Sequence, residues 1–237
     1  MSISLTPNEL TNLLKKHFGF DQFREGQLEA INELMRNGRL LCIQPIGHGK
    51  SLLYQLPSLL LPGLTLIISP LLALMRDQIL HLTRKFKIPA ASINSDQSEL
   101  ENSNTRTATQ EGKIKILFVA PEQLDNIEQL NFLLKLPINL IVIDETHCIS
   151  TWGHDFHYKN QYQVRTSELQ AMLTYGAQNN NCINVNEPVL LLDDYIGSGA
   201  TIKEAARALR KEAGFKQKIV PFTIAAIKWR LGSTGMV

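Results

Sequence analysis

The sequence predicts an α/β protein in which helices cover both faces of a parallel β-sheet. Three observations carry this. Short, almost wholly apolar runs occur at 40–43, 64–69, 115–120 and 140–144, as expected of strands buried on both faces. Helix-compatible segments alternate with them, the order that parallel strands need for their crossovers. A glycine-containing stretch, Gln44-Pro45-Ile46-Gly47-His48-Gly49-Lys50-Ser51, follows one of these runs and precedes the helix-compatible segment 52–61. Strand, glycine loop, helix is the context in which Gly-Lys-Ser means phosphate binding.

In chain order, Thr6-Pro7-Asn8-Glu9 reads as a helix start, with Thr6 as N-cap, Pro7 at the first helical position and Glu9 closing a capping box. Leu10, Leu13 and Leu14 share a face, and Gly19 ends the helix. A second helix over 25–37 stops at Gly38. Strand 40–43, the glycine loop and a helix from near Lys50 follow, then strand 64–69, helix 71–85, a polar surface helix over 95–112, and strands 115–120 and 140–144. From 158 to 187 Asn, Gln and Tyr dominate, centred on Gln178-Asn179-Asn180-Asn181, with one short helix at 167–174. A connection this long marks a boundary or a junction. Order returns with a strand at 189–193, a Gly-Ser-Gly loop, a helix over 201–212 and a strand over 219–225.

The 237 residues permit one large domain or two small ones. Hydrophobic residues make up 44% and charged residues 19%, an ordinary globular composition. The net charge of +2 neither requires nor excludes a nucleic-acid partner, since a local basic surface is what counts. Cys42, Cys148 and Cys182 are scattered with no C-x-x-C pair, which fits a reducing compartment and argues against a zinc ribbon or disulfide framework. No apolar run reaches the roughly 18 residues of a membrane span, and no signal-peptide pattern opens the chain. The expectation is a cytoplasmic protein without membrane contact or zinc.

The chemistry of the first loop is direct. Gly47 and Gly49 lack a Cβ, so with His48 they let the backbone curl and aim several N–H groups at one anion. The helix beginning near Lys50 adds its positive end. Lys50 would reach the β- and γ-phosphates, and Ser51 would ligate Mg²⁺. Gln44 stands where the strict phosphate-loop pattern has glycine. Downstream, Asp144-Glu145-Thr146-His147 closes the strand 140–144. A carboxylate there faces the ligand crevice of a parallel sheet. Asp144 would hold Mg²⁺ through water, and Glu145 would orient or deprotonate an attacking water. Either motif alone has a plain reading, a tight turn or a helix cap; together in an alternating α/β chain they point to a nucleoside triphosphate.

A resemblance then becomes specific. Leu14-x-x-x-Phe18-Gly19-x-x-x-Phe23-Arg24-x-x-Gln27 is similar to the adenine-side motif of RecQ-type DNA helicases at every defined position. The amide of Gln27 suits the N6 and N7 edge of adenine, and Arg24 would flank the nucleotide. The stretch from Ser69 to Gln78, which includes Arg76, resembles the family motif that touches the DNA backbone, and Ala120-Pro121-Glu122 resembles another. His147 to Phe156 resembles the family's aromatic-rich loop, which couples single-stranded DNA to ATP hydrolysis; Trp152, His154 and Phe156 are the DNA contacts it implies. The resemblance covers 14–156 and implies ATP and Mg²⁺ as cofactors, single-stranded DNA or a single/double-strand junction as partner, and 3′-to-5′ DNA unwinding in recombination and repair as the family activity. Its fold is a three-layer parallel sheet of the P-loop, RecA-like type. Lys50 and Glu145 are the implied catalytic groups.

The chain also departs from the family. Ile46 and Thr146 replace the usual Thr and Ala, His157 replaces an Arg, and from Tyr158 the match ends. Nothing resembles the second motor domain or its arginine finger. Instead, Leu191 to Thr201 resembles the phosphoribosyl-pyrophosphate loop of type I phosphoribosyltransferases, with Asp193 and Asp194 toward ribose hydroxyls and Gly197, Ser198, Gly199 and Thr201 around a phosphate. The plain alternative is a strand-turn-helix that needs small residues for close packing. The expected organisation is therefore a motor domain over 1–157, a junction over 158–188 and a strand-helix-strand segment over 189–237. In sheets of this family a strand normally lies between the phosphate-loop strand and the acidic-motif strand. Strand 189–193 is expected to fill that slot, and 219–225 to pair on the other side of the phosphate-loop strand. The expected function is an ATP- and DNA-binding helicase fragment unable to unwind alone; the alternatives are a phosphoribosyl-pyrophosphate-binding protein and a non-catalytic remnant.

Overall fold

The computed structural model describes residues 5–44, 47–144, 189–193 and 221–223. Helix α1 (Pro7–Phe18) begins with the expected capping box: the Glu9 amide donates to the Thr6 hydroxyl, and the Thr6 amide donates to the Glu9 carboxylate at 2.7 Å. Gly19 ends it at φ +73°, which glycine adopts without strain. Helix α2 (Gln27–Asn37) starts two residues later than expected and ends at Gly38. Strand β1 (Arg39–Ile43) leads through the glycine loop into α3 (Leu52–Leu60). Then come β2 (Leu64–Ile68), α4 (Leu72–Leu80), β3 (Ala90–Ile93), α5 (Glu99–Gln110), β4 (Ile116–Val119), α6 (Ile127–Leu134) and β5 (Ile138–Ile143). Strands β6 (Val189–Asp193) and β7 (Pro221–Thr223) come from the C-terminal segment.

The seven strands form one sheet in the order β3-β4-β2-β5-β6-β1-β7, and every pairing is parallel. Alternation along each strand separates two cores. Leu66, Ile68, Leu117, Val119, Ile141 and Ile143 pack with α6 on one face. Ile67, Ile116, Phe118, Leu140 and Val142 pack with α1, α2 and α3 on the other, together with Cys42 of β1. The layers are helix, sheet, helix.

The vacancy expected beside the phosphate-loop strand is filled as anticipated. Strand β6 lies between β5 and β1, with Leu190 opposite both Val142 and Leu40. On the other side of β1, Phe222 of β7 stands opposite Cys42. Strand β7 is shorter than the expected 219–225, and the helix expected over 201–212 lies outside the described residues.

Two sequence expectations need correction. The single helix over 71–85 is instead α4 followed by a π-helical turn, His81–Lys85, closed by the Phe86 amide donating to the His81 carbonyl at 3.2 Å. In a regular helix residue 86 would lie over Leu82; the wider turn sets it beside His81 and edge-on against Phe18, ring centroids 4.9 Å apart. The surface helix of 95–112 is shorter, Glu99–Gln110, because Ser98 caps it in a second capping box. Strand β3 and helix α6 were not anticipated. Ala90-Ala91-Ser92-Ile93 is too short and small-sided to register as an apolar run.

Candidate nucleotide-binding site

Lys50 and Asp144 emerge at the same edge of the sheet. Lys50 follows β1 and Asp144 follows β5, and both strands run parallel to β6 between them. At roughly 5 Å per strand the two strand ends stand about 10 Å apart. The Asp144 amide donates to the Ile68 carbonyl at 2.9 Å, which ties the acidic strand's end to β2. Val142 packs on the α3 face of the sheet, so the pleat turns Asp144 to that face as well.

Two neighbours report the charges. Cys42 is fully buried in β1, and burial pushes its thiol up to about 12, partly opposed by the Lys50 ammonium. The Tyr54 hydroxyl, buried in the first turn of α3, is held protonated by burial and then by the negative charge of Asp144, while Ser51 acts on it in the opposite sense. Lys50, Ser51 and Asp144 therefore bear on one small region under the first turn of α3. The Lys50 ammonium is out of contact with solvent, and both it and Asp144 are engaged in polar or electrostatic contacts.

Gly47 and Gly49 take φ values of +83° and +81°, which only glycine holds without strain. Arg24 and Gln27, expected from the sequence at adenine, brace this loop. Gln27 is buried, and its Nε2 donates to the carbonyls of His48 at 3.2 Å and Gly49 at 3.1 Å; its Oε1 accepts from the Arg24 amide at 2.9 Å. The Arg24 guanidinium donates to the Gly47 carbonyl. A Cβ on Gly49 would stand 2.7 Å from Gln27 Nε2. Gln44, where the strict motif has glycine, is fully buried at the end of β1, and neither end of its amide has a hydrogen-bond partner among the described residues.

Beside the loop opens a cavity of about 270 Å³. It is lined by Phe20, Gln22, Arg24 and Gln27 from before the glycine loop and by Gly49, Ser51, Leu52 and Gln55 from the loop and α3. Gln78, His81, Lys85 and Phe86, which the sequence had not linked to nucleotide, also line it. Gln78 Oε1 accepts from Gln55 Nε2 at 3.0 Å, joining α4 to α3 beneath the cavity. Arg76, expected at DNA, is exposed on α4 and paired with Asp96 at 2.9 Å. His48 is exposed. Asp193 lies at the end of β6, level with Ile43 of β1. Glu145, Trp152, His154, Phe156, Asp194, Gly197, Ser198, Gly199 and Thr201 lie outside the described residues. Among the described residues no cluster of three or more His, Cys, Asp or Glu could hold a metal, and no helix is long and apolar enough to cross a membrane.

A parallel sheet with a Gly-Lys-Ser loop and an acidic strand end on one edge defines a P-loop nucleotide-binding domain of the RecA-like class. The chain belongs to the DEAD/DEAH box helicase family, whose model matches residues 24–178. It is 45% identical over 166 residues to the ATP-dependent DNA helicase Q-like 5 of Arabidopsis thaliana, covering 68% of this chain and 18% of that protein. To the ATP-dependent DNA helicase RecQ of Bacillus subtilis it is 44% identical over 153 residues, covering 63% of this chain and 26% of that one. The chain thus spans about a fifth to a quarter of these relatives' length. In fold it is similar to a hypothetical ATP-dependent RNA helicase from Sulfolobus tokodaii, with a TM-score of 0.62 at 16% identity over 92% of this chain and 57% of that one. The helicase domain of Pyrococcus furiosus Hef gives 0.59 at 16% identity over 90% of this chain and 40% of that one.

Proposed function

We propose that these 237 residues act as the ATP- and DNA-binding first motor domain of a RecQ-like DNA helicase whose whole activity is 3′-to-5′ unwinding in recombination and repair. The observation that carries this reading is the placement of Lys50 and Asp144 at one sheet edge, one strand apart, with the Arg24–Gln27 cavity alongside. Lys50 grips the β- and γ-phosphates, and the loop amides from Gly47 to Ser51 cradle them. A serine hydroxyl and a carboxylate that both act on Tyr54 suit a hard divalent cation, so Ser51 and Asp144 are the Mg²⁺ holders. Bound Mg²⁺ would neutralise charge on the transferred phosphoryl group. Glu145 orients the attacking water, and Arg24 and Gln27 hold the base. Trp152, His154, Phe156 and Arg76 are the residues assigned to single-stranded DNA or a single/double-strand junction. Residues 1–157 are the motor domain proper, 158–188 the junction, and 189–237 the segment that completes its sheet.

On their own these residues bind ATP and hydrolyse it negligibly, because an arginine finger from a second motor is worth about 10³–10⁵ in rate in related phosphoryl transfer. Calorimetry with Mg-ATP tests the reading. Binding is expected in the wild type and a roughly 10- to 150-fold loss in Lys50→Ala, the worth of hydrogen bonds to a charged group. Absence of any Mg-ATP binding would sink it. Strand displacement on a 3′-tailed duplex tests the second part, since robust unwinding by this chain alone would disprove it.

A further inference from the structure

Three of the residues that line the cavity, His81, Lys85 and Phe86, belong to none of the motifs likened to the family, and Gln78 closes the one likened to its DNA-backbone motif. Gln78, His81 and Lys85 are spaced three and four residues apart, so α4 and its π-helical extension present them on one face. That face lines the cavity together with Phe20, Arg24 and Gln27. The π turn completes the wall by bringing Phe86 beside His81, ring centroids 5.9 Å apart, instead of over Leu82. Single π turns within helices concentrate at functional sites.

The charge of the cavity is one-sided. Arg24, His81 and Lys85 line it, and among the described residues no carboxylate does. Lys15, Arg36, Arg76, Arg106 and Lys113 pair with carboxylates; Lys85 does not among the described residues. Its ammonium rests 5.3 Å above the centre of the Phe86 ring. At an exposed site such a contact is weaker than a charge-assisted hydrogen bond, so a ligand acceptor would draw the ammonium away from the ring. The cavity, about 270 Å³, lies just below the usual 300–1,000 Å³ of ligand pockets, which suits the base and sugar end of a nucleotide better than a whole triphosphate. Lys50 is not among its lining residues.

We infer that the π-helical turn supplies a second wall to the nucleotide site and that Lys85 directly contacts the nucleoside-monophosphate end of the bound nucleotide, with His81 and Phe86 as its platform. This rests on the reading of the cavity as part of an ATP site. The test is calorimetry of the full 237-residue chain with Mg-ATP and with AMP, for wild type, Lys85→Ala, Lys85→Arg, Lys50→Ala and Arg84→Ala. AMP lacks the phosphates that Lys50 would grip, so it isolates the base end. Lys85→Ala is expected to weaken both ligands about tenfold, while Lys85→Arg retains affinity. Arg84→Ala removes the neighbouring charge on the same turn without lining the cavity, and is expected to bind both ligands as the wild type does. Lys50→Ala is expected to lose ATP but keep AMP. Wild-type affinity in Lys85→Ala, or an equal loss in Arg84→Ala, overturns the inference and leaves the ATP site standing. If the wild type binds neither ligand, the ATP reading fails and takes this one with it.

Discussion

The sheet has two unlike halves. Strands β3, β4, β2 and β5 come from one continuous stretch, 64–143, and pair with one another. Strand β1 pairs with none of them. Its neighbours are β6 and β7, which arrive about 150 residues or more further along the chain. Yet β1 carries the phosphate loop and β5 carries Asp144. The two ends of the nucleotide site thus meet across a strand that the family motifs do not contain. Helices α2 and α3 also tie β1 to the fold, through the core that holds Ala30, Ile31, Leu34, Leu53 and Leu56. Sheet continuity, however, runs only through β6.

The largest expected effect comes from cutting that bridge. Leu190 pairs with both Val142 and Leu40, so Leu190→Pro removes a ladder hydrogen bond at the sheet's centre. Proline already opens β7, an outermost strand, where it is tolerated. Leu190→Pro is expected to abolish both Mg-ATP binding and protection of Cys42. The readout is thiol labelling in a Cys148→Ser, Cys182→Ser background. In the intact sheet Cys42 is buried and its thiol is pushed up to about 12, so at pH 8 labelling should proceed only through opening of β1. The folded state keeps this proton where an ordinary thiol, near 9.0, has lost it, so this contribution to stability is complete below pH 9 and lost as pH rises beyond. Slow labelling in Leu190→Pro would mean that α2 and α3 hold β1 without the bridge.

A smaller effect is expected within the β1 half. Gly47→Ala and Gly49→Ala both place an alanine at φ above +80°, a strain of about 1–3 kcal/mol. They differ in their surroundings. Nothing lies within 4 Å of a Cβ on Gly47, whereas one on Gly49 would meet Gln27 Nε2 at 2.7 Å. Gly49→Ala should therefore weaken Mg-ATP more than Gly47→Ala, by about tenfold if it costs one further hydrogen bond. Equal effects would show that Gln27 does not hold the loop.

These contrasts mirror what could be read from the chain beforehand. The phosphate loop, the acidic strand end and the cap of α1 are local patterns, and each was legible from a few adjacent residues. The slot for β6 was legible only by subtraction: a four-residue apolar run and an acid, Val189 to Asp193, at the point where the sheet lacked a strand. Pro221 is consistent with an edge position for β7. What escaped was non-local or weakly patterned. The wall of Gln78, His81, Lys85 and Phe86 depends on one widened turn, which leaves no trace in hydrophobic spacing. Strand β3 is two alanines, a serine and an isoleucine, and only its place beside β4 makes it a strand.

Gln44 offers a gain rather than a loss. Its amide is buried with both ends unpartnered among the described residues, a cost of about 1–3 kcal/mol. Gln44→Met keeps the shape and removes the polar atoms. It is expected to raise stability by about 1 kcal/mol in thermal unfolding, with Mg-ATP affinity unchanged. A fall in affinity would instead make the amide a ligand contact at the end of β1.

The smallest expected effect asks whether the two halves unfold together. Each carries the same device at a helix start: Thr6 with Glu9 at α1, and Ser98 with Glu101 at α5. The α1 helix packs its Leu10, Leu14 and Phe18 into the core that holds Cys42, while α5 packs against β3 at the far edge. The Thr6 backbone amide, then its hydroxyl, holds the Glu9 carboxyl below its ordinary range; the Ser98 hydroxyl, then its amide, does the same for Glu101. A lowered folded value means that these contributions are present above about pH 4.5 and fade as pH falls through the folded values. Thr6→Ala and Ser98→Ala should each cost about 1 kcal/mol at neutral pH, and less in acid, where the glutamate partners are protonated. With β6 coupling the halves, both substitutions should lower one thermal midpoint and quicken Cys42 labelling alike. If only Thr6→Ala quickens it, β1 and its helices open on their own, and the bridge joins the halves in structure without making them one cooperative unit.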